Sequence, residues 1–274
     1  MKEWNLKVPK ILHTYWGGGK LLYLRYLTIL SFMKHNPDWE IYFWYPTKSF
    51  TGKSWGIEPG YRELDDTLCD DYLPELMKLP IKKIAVDFAY MGFGDTAAEV
   101  HKADYLRIRN LHLYGGAWAD MDILFFKPMN DLSVNIPENQ EKETFVCMCG
   151  YGHSTGFVMA RKGSKFFGAL LDFVKDEYPK GSYQCIGPDM FNKYFPTLES
   201  INAISPAVNM DMDVVYAHDA YHQQEILDGT KPRFTDGSIG IHWYAGHSMW
   251  GGFYNDTRGG TVNLPDNIIG NLLK

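Results

Sequence analysis

The stretch from Asp104 to Asp122 constrains the fold of this chain more than any other. It reads DYLRIRNLHLYGGAWADMD, and neither glycine nor proline interrupts residues 96–114. That uninterrupted run predicts one helix, and apolar residues on more than one of its faces predict that the helix is buried. Gly115 stands where helices commonly end in a left-handed residue, because glycine has no Cβ to clash there. The stretch therefore predicts a buried helix, a two-glycine stop and a short extended segment that ends in two carboxylates.

Two pairs of polar residues in this stretch suggest chemistry. Asp104 and Arg107 lie three residues apart, so they share one face of the helix, where they could also form an ordinary ion pair. Asp120 and Asp122 lie two residues apart, so on an extended backbone they point the same way. Two such acids suit Mg²⁺ or Mn²⁺, which prefer oxygen ligands and leave positions open for substrate phosphates. A solvated turn is the alternative, and the apolar run at residues 123–126 argues against it because it places the acids beside a buried element.

Composition limits the classes of function. The chain has 274 residues, enough for one large domain or two small ones, and a formal net charge of −6. It lacks the basic excess that nucleic-acid binding needs, so we expect no nucleic-acid partner. The four cysteines form no disulfide framework and no C-x-x-C pair, which is typical of thiols in a reducing compartment. The first residues show no signal-peptide pattern, and no apolar run is long enough to span a membrane. We therefore expect a cytoplasmic protein, with peripheral membrane contact left open.

The N-terminal part of the chain predicts the start of an α/β domain. Residues 9–16 and 40–45 have the composition of strands, and residues 21–35 carry apolar side chains at helical spacing. A strand–helix–strand order predicts parallel pairing of the two strands. Residues 71–79 and 82–91 predict two helices, which would form a helical insertion over the sheet.

The rest of the chain continues the same alternation. The predicted elements are strands at residues 145–149, 156–160 and 239–244, a strand pair within 204–216, and helices at 164–178 and 187–194. Residues 251–260 are rich in glycine and could fold over a ligand. No repeat, low-complexity tract or linker divides the chain, so the sequence predicts a single domain over residues 1–274.

Three blocks of sequence resemble a known family. Residues 8–18 read VPKILHTYWGG, residues 102–107 and 115–122 read KADYLR and GGAWADMD, and residues 241–250 read IHWYAGHSMW. In residue type, spacing and order, these blocks resemble the DXD-containing sugar transferases of glycosyltransferase family 32. More distantly, the chain resembles the catalytic domains of the large clostridial glucosylating toxins. The central block is the most specific of the three.

The resemblance implies a fold and a reaction. The fold is GT-A, the Rossmann-like α/β fold of nucleotide-diphospho-sugar transferases, with the acidic motif at the edge of the sheet. The reaction is transfer of a sugar from a nucleotide-diphosphate donor, a UDP-sugar being favoured, with retention of the anomeric configuration. The acceptor would be a glycan, a lipid-linked glycan or another hydroxyl compound, and the role would be synthesis of a surface polysaccharide. Mn²⁺ or Mg²⁺ would be the cofactor.

The resemblance also assigns residues to the donor. Carried over to this sequence, it implies that Trp16 stacks on the nucleoside base and that Asp104 and Arg107 hold the donor sugar. Asp120 would contact the ribose or the sugar, so Asp104, Arg107 and Asp120 form the implied catalytic group. From the residues alone, Trp16 stays open between a core position and the edge of a pocket.

A second set of residues would serve the metal and the diphosphate. The resemblance implies that Asp122 and Asp120 bind the metal and that His242 binds the metal or the diphosphate. Ser248 and Trp250 would contact the diphosphate. The third protein ligand of the metal stays open, because Ala245 and His247 stand where sequences of the family carry a metal-ligating acid. From the residues alone, His242 reads equally well as a ligand and as a structural histidine in the core.

Two other functions fit parts of the pattern. Phosphatases of the haloacid dehalogenase type also carry D-x-D after a strand, but their strand is apolar directly before the first acid, whereas residues 115–119 here begin with two glycines. A non-catalytic sugar-binding module would fit the aromatic content of 15%, but such a module has no use for a diphosphate clamp. A second D-x-D at residues 211–213 lacks the preceding helix and glycine pair, and it reads as a loop beside a strand at 214–216.

Overall fold

Strands and helices alternate along the chain. The computed structural model describes residues 4–49, 70–91, 97–132, 134, 141–150, 152–178, 182–219, 221–229, 231–245 and 267–273. The strands are β1 (Ile11–Tyr15), β2 (Glu40–Pro46), β3 (Lys82–Val86), β4 (Gly116–Ala119), β5 (Ile123–Phe125), β6 (Thr144–Cys149), β7 (Gly152–Ala160), β8 (Ala207–Met210) and β9 (Gly240–His242). The helices are α1 (Tyr23–His35), α2 (Leu73–Leu76), α3 (Glu99–Leu113), α4 (Lys165–Glu177), α5 (Pro188–Tyr194), α6 (Leu198–Asn202), α7 (Gln223–Asp228) and α8 (Ile268–Leu273). No helix in these ranges has both the length and the apolar character that crossing a membrane requires.

Seven strands form one mixed, mostly parallel sheet in the order β3-β2-β1-β4-β7-β6-β8. β1 pairs in parallel with β2 and with β4, and β2 pairs in parallel with β3. β7 is antiparallel to β4 and β6, and β6 is parallel to β8. β5 and β9 form a separate antiparallel pair in which Ile123 lies opposite His242. The parallel pairing expected for the first two strands is confirmed.

Hydrophobic side chains cover both faces of the large sheet. In β2, Phe43 belongs to the cluster that includes Phe32 of α1, whereas the next residue, Trp44, belongs to the cluster that includes Leu106 of α3 and Phe166 of α4. Successive side chains of a strand point to opposite faces, so one strand contributes to both cores. Burial on both faces explains why the β2 sequence is rich in apolar residues rather than alternating.

The helix α3 ends at the glycine pair, as the sequence predicts. Gly115 and Gly116 have φ values of 69° and 105°, a region that residues with a Cβ avoid. A Cβ on Gly116 would lie 2.4 Å from the carbonyl oxygen of Ile11. The turn therefore allows β4 to start directly beside β1, and it brings Asp120 to the edge of the sheet.

His13 of β1 fixes this turn from within the core. Its Nε2 lies 2.9 Å from the carbonyl oxygen of Gly115, and its Nδ1 accepts a hydrogen bond of 3.2 Å from the indole of Trp44. A carbonyl oxygen only accepts, so Nε2 carries the proton. Burial lowers the pKa of His13 to about 4, although the hydrogen bond to Gly115 opposes that shift. The imidazole is therefore neutral at physiological pH.

The predicted helical insertion is wrong for the described residues of this region. Residues 82–91 do not form a helix, because Lys82–Val86 is the edge strand β3. Residues 70–81 contain only the four-residue helix α2. The spacing of apolar residues in a short run cannot distinguish a strand from a helix. Here the hydrogen bonds to β2 determine that the segment is a strand. Residues 50–69 and 92–96 lie outside the described residues.

The expected strand pair within residues 204–216 is a single strand. Ala207–Met210 forms β8, but Met212–Val214 is a 3₁₀ turn. The second D-x-D therefore lies at a turn, and the strand expected beside it at 214–216 is not formed. Its acid Asp213 accepts a hydrogen bond of 2.5 Å from the hydroxyl of Thr235.

Candidate active site

A cavity of about 350 Å³ opens at the edge of the large sheet. Side chains from α3, from the turn after β4, and from β7, α5, α7 and β9 line it. Its volume lies within the usual range for sites that bind small molecules. The cavity gathers most of the ionisable residues that the sequence singles out, namely Asp104, Arg107, Asp120, Asp122 and His242.

Arg107 joins the acid of α3 to the first acid of the motif. Its guanidinium donates hydrogen bonds to Oδ1 of Asp104 (2.5 Å) and to Oδ1 of Asp120 (2.7 Å). It also donates to Oγ1 of Thr155 in β7 (2.9 Å). Asp104 and Arg107 are 4% and 3% exposed, and burial raises the pKa of Asp104 to about 6 although the charge of Arg107 opposes the rise. The pair is therefore part of a buried network rather than an ordinary pair on a solvated helix face.

The two acids of the motif stand in a turn rather than on an extended backbone. β4 ends at Ala119, and the segment from Asp120 to Asp122 leads into β5. The predicted strand alternation is therefore wrong as the reason for their convergence. Specific hydrogen bonds hold them instead: the indole of Trp118 donates to Oδ1 of Asp120 (2.7 Å), and the N–H of Ala245 donates to Oδ2 of Asp122 (2.9 Å).

His242 lies beside the second acid. Its Nε2 is 3.1 Å from Oδ1 of Asp122, and its Nδ1 is buried without a hydrogen-bond partner in the described part of the chain. Burial would raise the pKa of Asp122, but His242, Arg25 and the N–H of Ala245 outweigh burial, so this pKa lies below its usual range. Asp122 is therefore ionised at neutral pH.

The residues Asp120, Asp122 and His242 fit a divalent cation. One ligand atom of each lies within 4.8 Å of the others. The hydrogen bond from Trp118 occupies Oδ1 of Asp120 and leaves Oδ2 for a ligand. The N–H of Ala245 occupies Oδ2 of Asp122, and Oδ1 of Asp122 faces Nε2 of His242, where a cation would lie between them. Such outer hydrogen bonds orient the ligands of metal sites, and carboxylate oxygens suit Mg²⁺ or Mn²⁺. The orphaned Nδ1 of His242 also shows that the imidazole is not held by a second partner within this part of the chain.

Gly156 of β7 keeps space open among these groups. A Cβ on Gly156 would lie 3.0 Å from Oδ2 of Asp120, 3.0 Å from the hydroxyl of Tyr216 and 3.3 Å from Nε2 of His242. The hydroxyl of Tyr216 accepts a hydrogen bond of 2.8 Å from the N–H of Phe157, so that contact does not use its proton. Burial raises the pKa of Tyr216 well above its usual range, so the hydroxyl stays protonated.

A second group of lining residues is uncharged. It comprises His153, Ser154, Gln184, Pro188 and Asn192. The Nε2 of His153 donates to the carbonyl oxygen of Phe195 (2.8 Å), and the N–H of His153 donates to the side chain of Asn192 (2.9 Å). Burial lowers the pKa of His153 although the hydrogen bond to Phe195 opposes the shift, so the ring is neutral. Sequence reasoning missed this group, because β7 and α5 read as ordinary structural elements.

The structure does not place the expected donor-binding residue Trp16 at the cavity. Trp16 packs partly buried against the core, with the guanidinium of Arg25 lying 4.5 Å from its ring centroid. It is not among the described residues that line the cavity. Ser248 and Trp250 lie outside the described residues.

Comparison with known families gives one match. The model for the glycosyltransferase sugar-binding region containing a DXD motif matches residues 26–140. This span holds Asp104, Arg107, Asp120 and Asp122, and it ends before His242. No curated protein matches the chain in sequence.

Solved structures share the fold. The PaToxG glycosyltransferase is 18% identical over 72% of this chain and 73% of its own, with a TM-score of 0.50. GlyE of Streptococcus pneumoniae TIGR4 is 12% identical over 86% of this chain and 55% of its own, with a TM-score of 0.48. The galactosyltransferase LgtC, solved with donor and acceptor sugar analogues, is 14% identical over 93% of this chain and 98% of its own, with a TM-score of 0.46. The likeness to PaToxG, together with the sheet order, confirms the expected GT-A fold.

Proposed function

We propose that this chain is a metal-dependent retaining glycosyltransferase that uses a UDP-sugar. Its residues 26–140 match the model for the glycosyltransferase sugar-binding region containing a DXD motif. One observation carries the proposal: Asp120, Asp122 and His242 gather in the cavity that also holds the Asp104–Arg107 pair. The chain acts as one domain over residues 1–274, a proposal supported by the pairing of the late strand β9 with β5.

The donor sugar binds against α3. Arg107 occupies Oδ1 of both Asp104 and Asp120, so Oδ2 of Asp104 is the oxygen that accepts a hydrogen bond from a sugar hydroxyl. Oδ2 of Asp120, a proposed metal ligand, has a second lone pair that accepts from the sugar or the ribose. Trp16 stacks on the nucleoside base; this role rests on the family resemblance, because Trp16 is not among the described residues at the cavity.

The diphosphate lies at the acidic turn. Asp120, Asp122 and His242 would hold the cation, and a divalent ion there would supply positive charge to offset the charge that the diphosphate gains as the sugar–oxygen bond breaks. Ser248 and Trp250 add hydrogen-bond donors to the diphosphate, a role that also rests on the resemblance. Loss of one such donor in comparable sites costs about 3 kcal/mol of transition-state stabilisation.

Retention follows from attack on the face that the diphosphate leaves. The bond from the sugar C1 to the phosphate oxygen breaks, the acceptor oxygen bonds to C1, and the acceptor proton passes to the departing phosphate oxygen. The hydrogen bonds that Arg107 makes to Asp104 and Asp120 support this route, because they lower the nucleophilicity of both carboxylates. The uncharged group of His153, Ser154 and Asn192 suits a hydroxyl acceptor such as a glycan or a lipid-linked glycan. By family analogy, the product belongs to a surface polysaccharide made in the cytoplasm.

Isothermal titration tests the proposal. UDP and GDP are titrated into the wild type and into Asp122→Asn, each with Mn²⁺, with Mg²⁺ and with EDTA. We expect Mn²⁺- or Mg²⁺-dependent binding of UDP that is lost in Asp122→Asn and in EDTA. Asp211→Asn is the matched control, because Asp211 is an exposed acid of the second D-x-D, and we expect it to bind as the wild type does.

The outcome separates the competing functions. Binding would be followed by assays of UDP-sugar hydrolysis and transfer. If a folded wild-type protein binds neither nucleotide, the glycosyltransferase proposal is wrong. Hydrolysis of p-nitrophenyl phosphate would then favour a phosphatase, and sugar binding without nucleotide would favour a sugar-binding module.

A further inference from the structure

Gln223 is a buried side chain whose amide oxygen is unsatisfied. It is 5% exposed and lines the cavity. Its Oε1 is buried and has no hydrogen-bond partner within the described ranges of the chain. Buried amide groups are almost always paired, because an unpaired one destabilises the folded state. A hydrogen-bond donor on a molecule bound in the cavity would satisfy this oxygen.

The cavity places Gln223 with the proposed metal-binding residues, because Asp120, Asp122 and His242 line it as well. Ile226, which is three residues later and so on the same face of α7, belongs to the hydrophobic cluster that contains Ile241 and Trp243. These two residues flank His242 in the chain, so this face of α7 packs into the same part of the protein as the segment that carries His242.

The chemistry of Gln223 restricts what it can bind. Its amide is neutral and cannot offset phosphate charge, and its Oε1 can only accept a hydrogen bond. A sugar hydroxyl both donates and accepts, so it satisfies either end of the amide. We propose that Gln223 positions the transferred sugar by a hydrogen bond to one of its hydroxyl groups, an inference that rests on the proposed function.

This role predicts opposite effects on the free protein and on the complex. Removing the amide eliminates an unpaired buried oxygen, so the ligand-free protein keeps or gains stability. The same change removes a hydrogen bond from the bound sugar, so the sugar nucleotide binds more weakly. A glutamine that only supported the fold would lose stability and affinity together.

The test compares Gln223→Met with the neighbouring variant Gln224→Met. Methionine keeps the length and shape of glutamine without its polar amide. Gln224 is exposed and donates to Asp228 at 2.5 Å, which makes it a matched control on the same helix. UDP, UDP-glucose, UDP-galactose and UDP-N-acetylglucosamine are titrated with Mn²⁺ into each protein, and thermal unfolding is measured without ligand.

We expect Gln223→Met to bind UDP within twofold of the wild type and to bind the preferred sugar nucleotide about three- to tenfold more weakly. Its melting temperature should equal or exceed that of the wild type, and Gln224→Met should match the wild type in all titrations. Gln223→Ala removes the amide without adding bulk, and it repeats the comparison if the methionine variant does not fold.

Three results would overturn the inference. If Gln223→Met binds the sugar nucleotide as tightly as the wild type does, the inference about Gln223 is wrong, but the proposed function stands. An equal loss for UDP and for the sugar nucleotide assigns Gln223 to the diphosphate or to the fold instead. A folded wild type that binds neither UDP nor any of the sugar nucleotides overturns the proposed function as well, so the two failures are distinguishable.

Discussion

The indole N–H of Trp118 donates a hydrogen bond to Oδ1 of Asp120, with 2.7 Å between the two heavy atoms. Arg107 donates to the same oxygen, and its guanidinium carbon lies 5.3 Å from the centroid of the Trp118 ring. One oxygen of Asp120 is therefore held from two directions inside the protein. Trp118 is a positioning residue for the acid, and it leaves the second oxygen on the side of the cavity.

Replacing Trp118 by phenylalanine should weaken metal binding. Trp118→Phe keeps an aromatic ring but removes the N–H that orients Asp120, and loss of such outer partners typically lowers metal affinity about 10- to 100-fold. Titration of Mn²⁺ in the presence of UDP measures the effect. Trp39→Phe is the control, because the buried indole of Trp39 has no hydrogen-bond partner in the described residues. Equal Mn²⁺ affinity in the two variants would argue against the positioning role.

A methyl group at Gly156 should obstruct the site. In Gly156→Ala the new Cβ would stand 3.0 Å from Oδ2 of Asp120 and 3.3 Å from Nε2 of His242, between two atoms that we propose as metal ligands. We expect at least a tenfold loss of metal-dependent nucleotide binding while circular dichroism stays native. Gly150→Ala is the matched control, since a Cβ on Gly150 has no atom within 4 Å. Unimpaired binding in Gly156→Ala would mean that the ligands lie elsewhere.

Lysine cannot replace Arg107. The guanidinium contacts Asp104, Asp120 and Thr155 at once, whereas an ammonium is a compact charge without that planar fork. Because the network is buried, we expect Arg107→Lys to lose about 2–4 kcal/mol of unfolding free energy. We also expect donor turnover to fall more than 100-fold, a loss of about 3 kcal/mol or more in transition-state binding.

An ion pair at the surface provides the control for the Arg107 substitution. Arg161 pairs at 2.9 Å with Glu141, whose side chain is 63% exposed, and such pairs contribute at most about 1 kcal/mol. Urea unfolding of Arg107→Lys and of Arg161→Lys measures the loss of unfolding free energy in each variant. Similar losses in the two variants would contradict the buried network.

The buried imidazole of His13 should make stability depend on pH. Its pKa is about 4 in the folded protein, below the ordinary histidine value of 6.5. Between pH 6.5 and 4 the unfolded chain binds a proton that the folded protein does not, so stability falls as the pH is lowered through this window. The contribution is fully present above pH 6.5, and its loss by pH 4 is on the order of 3 kcal/mol.

Two measurements check this prediction. Urea unfolding between pH 4 and 7.5 should show a shallower acid slope in His13→Gln than in the wild type, because the variant lacks the titrating group. Nitrogen-15 NMR should find the His13 ring neutral, with its proton on Nε2, down to about pH 5. A protonated ring at pH 6 would contradict the structural assignment, since a proton on Nδ1 would oppose the indole N–H of Trp44.

The sequence predicts a helix or strand well when the repeat of apolar residues is visible within the segment itself. The sequence predicts the helix α4 almost to its ends, because Phe166, Leu170 and Val174 repeat on one buried face. The sequence does not predict β3, because the run from Lys82 to Val86 is short and only partly buried, and its pairing with β2 decides its conformation. Strand formation depends on such neighbours more than on intrinsic preference.

In the candidate site, too, the sequence predicts contacts within one segment but not contacts between distant segments. The spacing of Asp104 and Arg107 predicts their contact within α3, but the link from Arg107 to Asp120 depends on the turn at Gly115 and Gly116. Tyr216 and Gln223 belong to no motif and come from segments that read as unremarkable. Their importance lies in unused hydrogen-bonding capacity, which only the folded arrangement reveals.

The pairing of β5 with β9 also orders the events by which this site is made. Asp122 precedes β5 directly, whereas His242 arrives on β9, far later in synthesis, and reaches Asp122 only when that strand docks. Bringing together such distant segments is entropically costly and tends to be a late step in folding. A growing chain therefore displays its two acids before their histidine partner exists, and capture of a cation by all three ligands would mark the moment at which the C-terminal part has closed onto the rest.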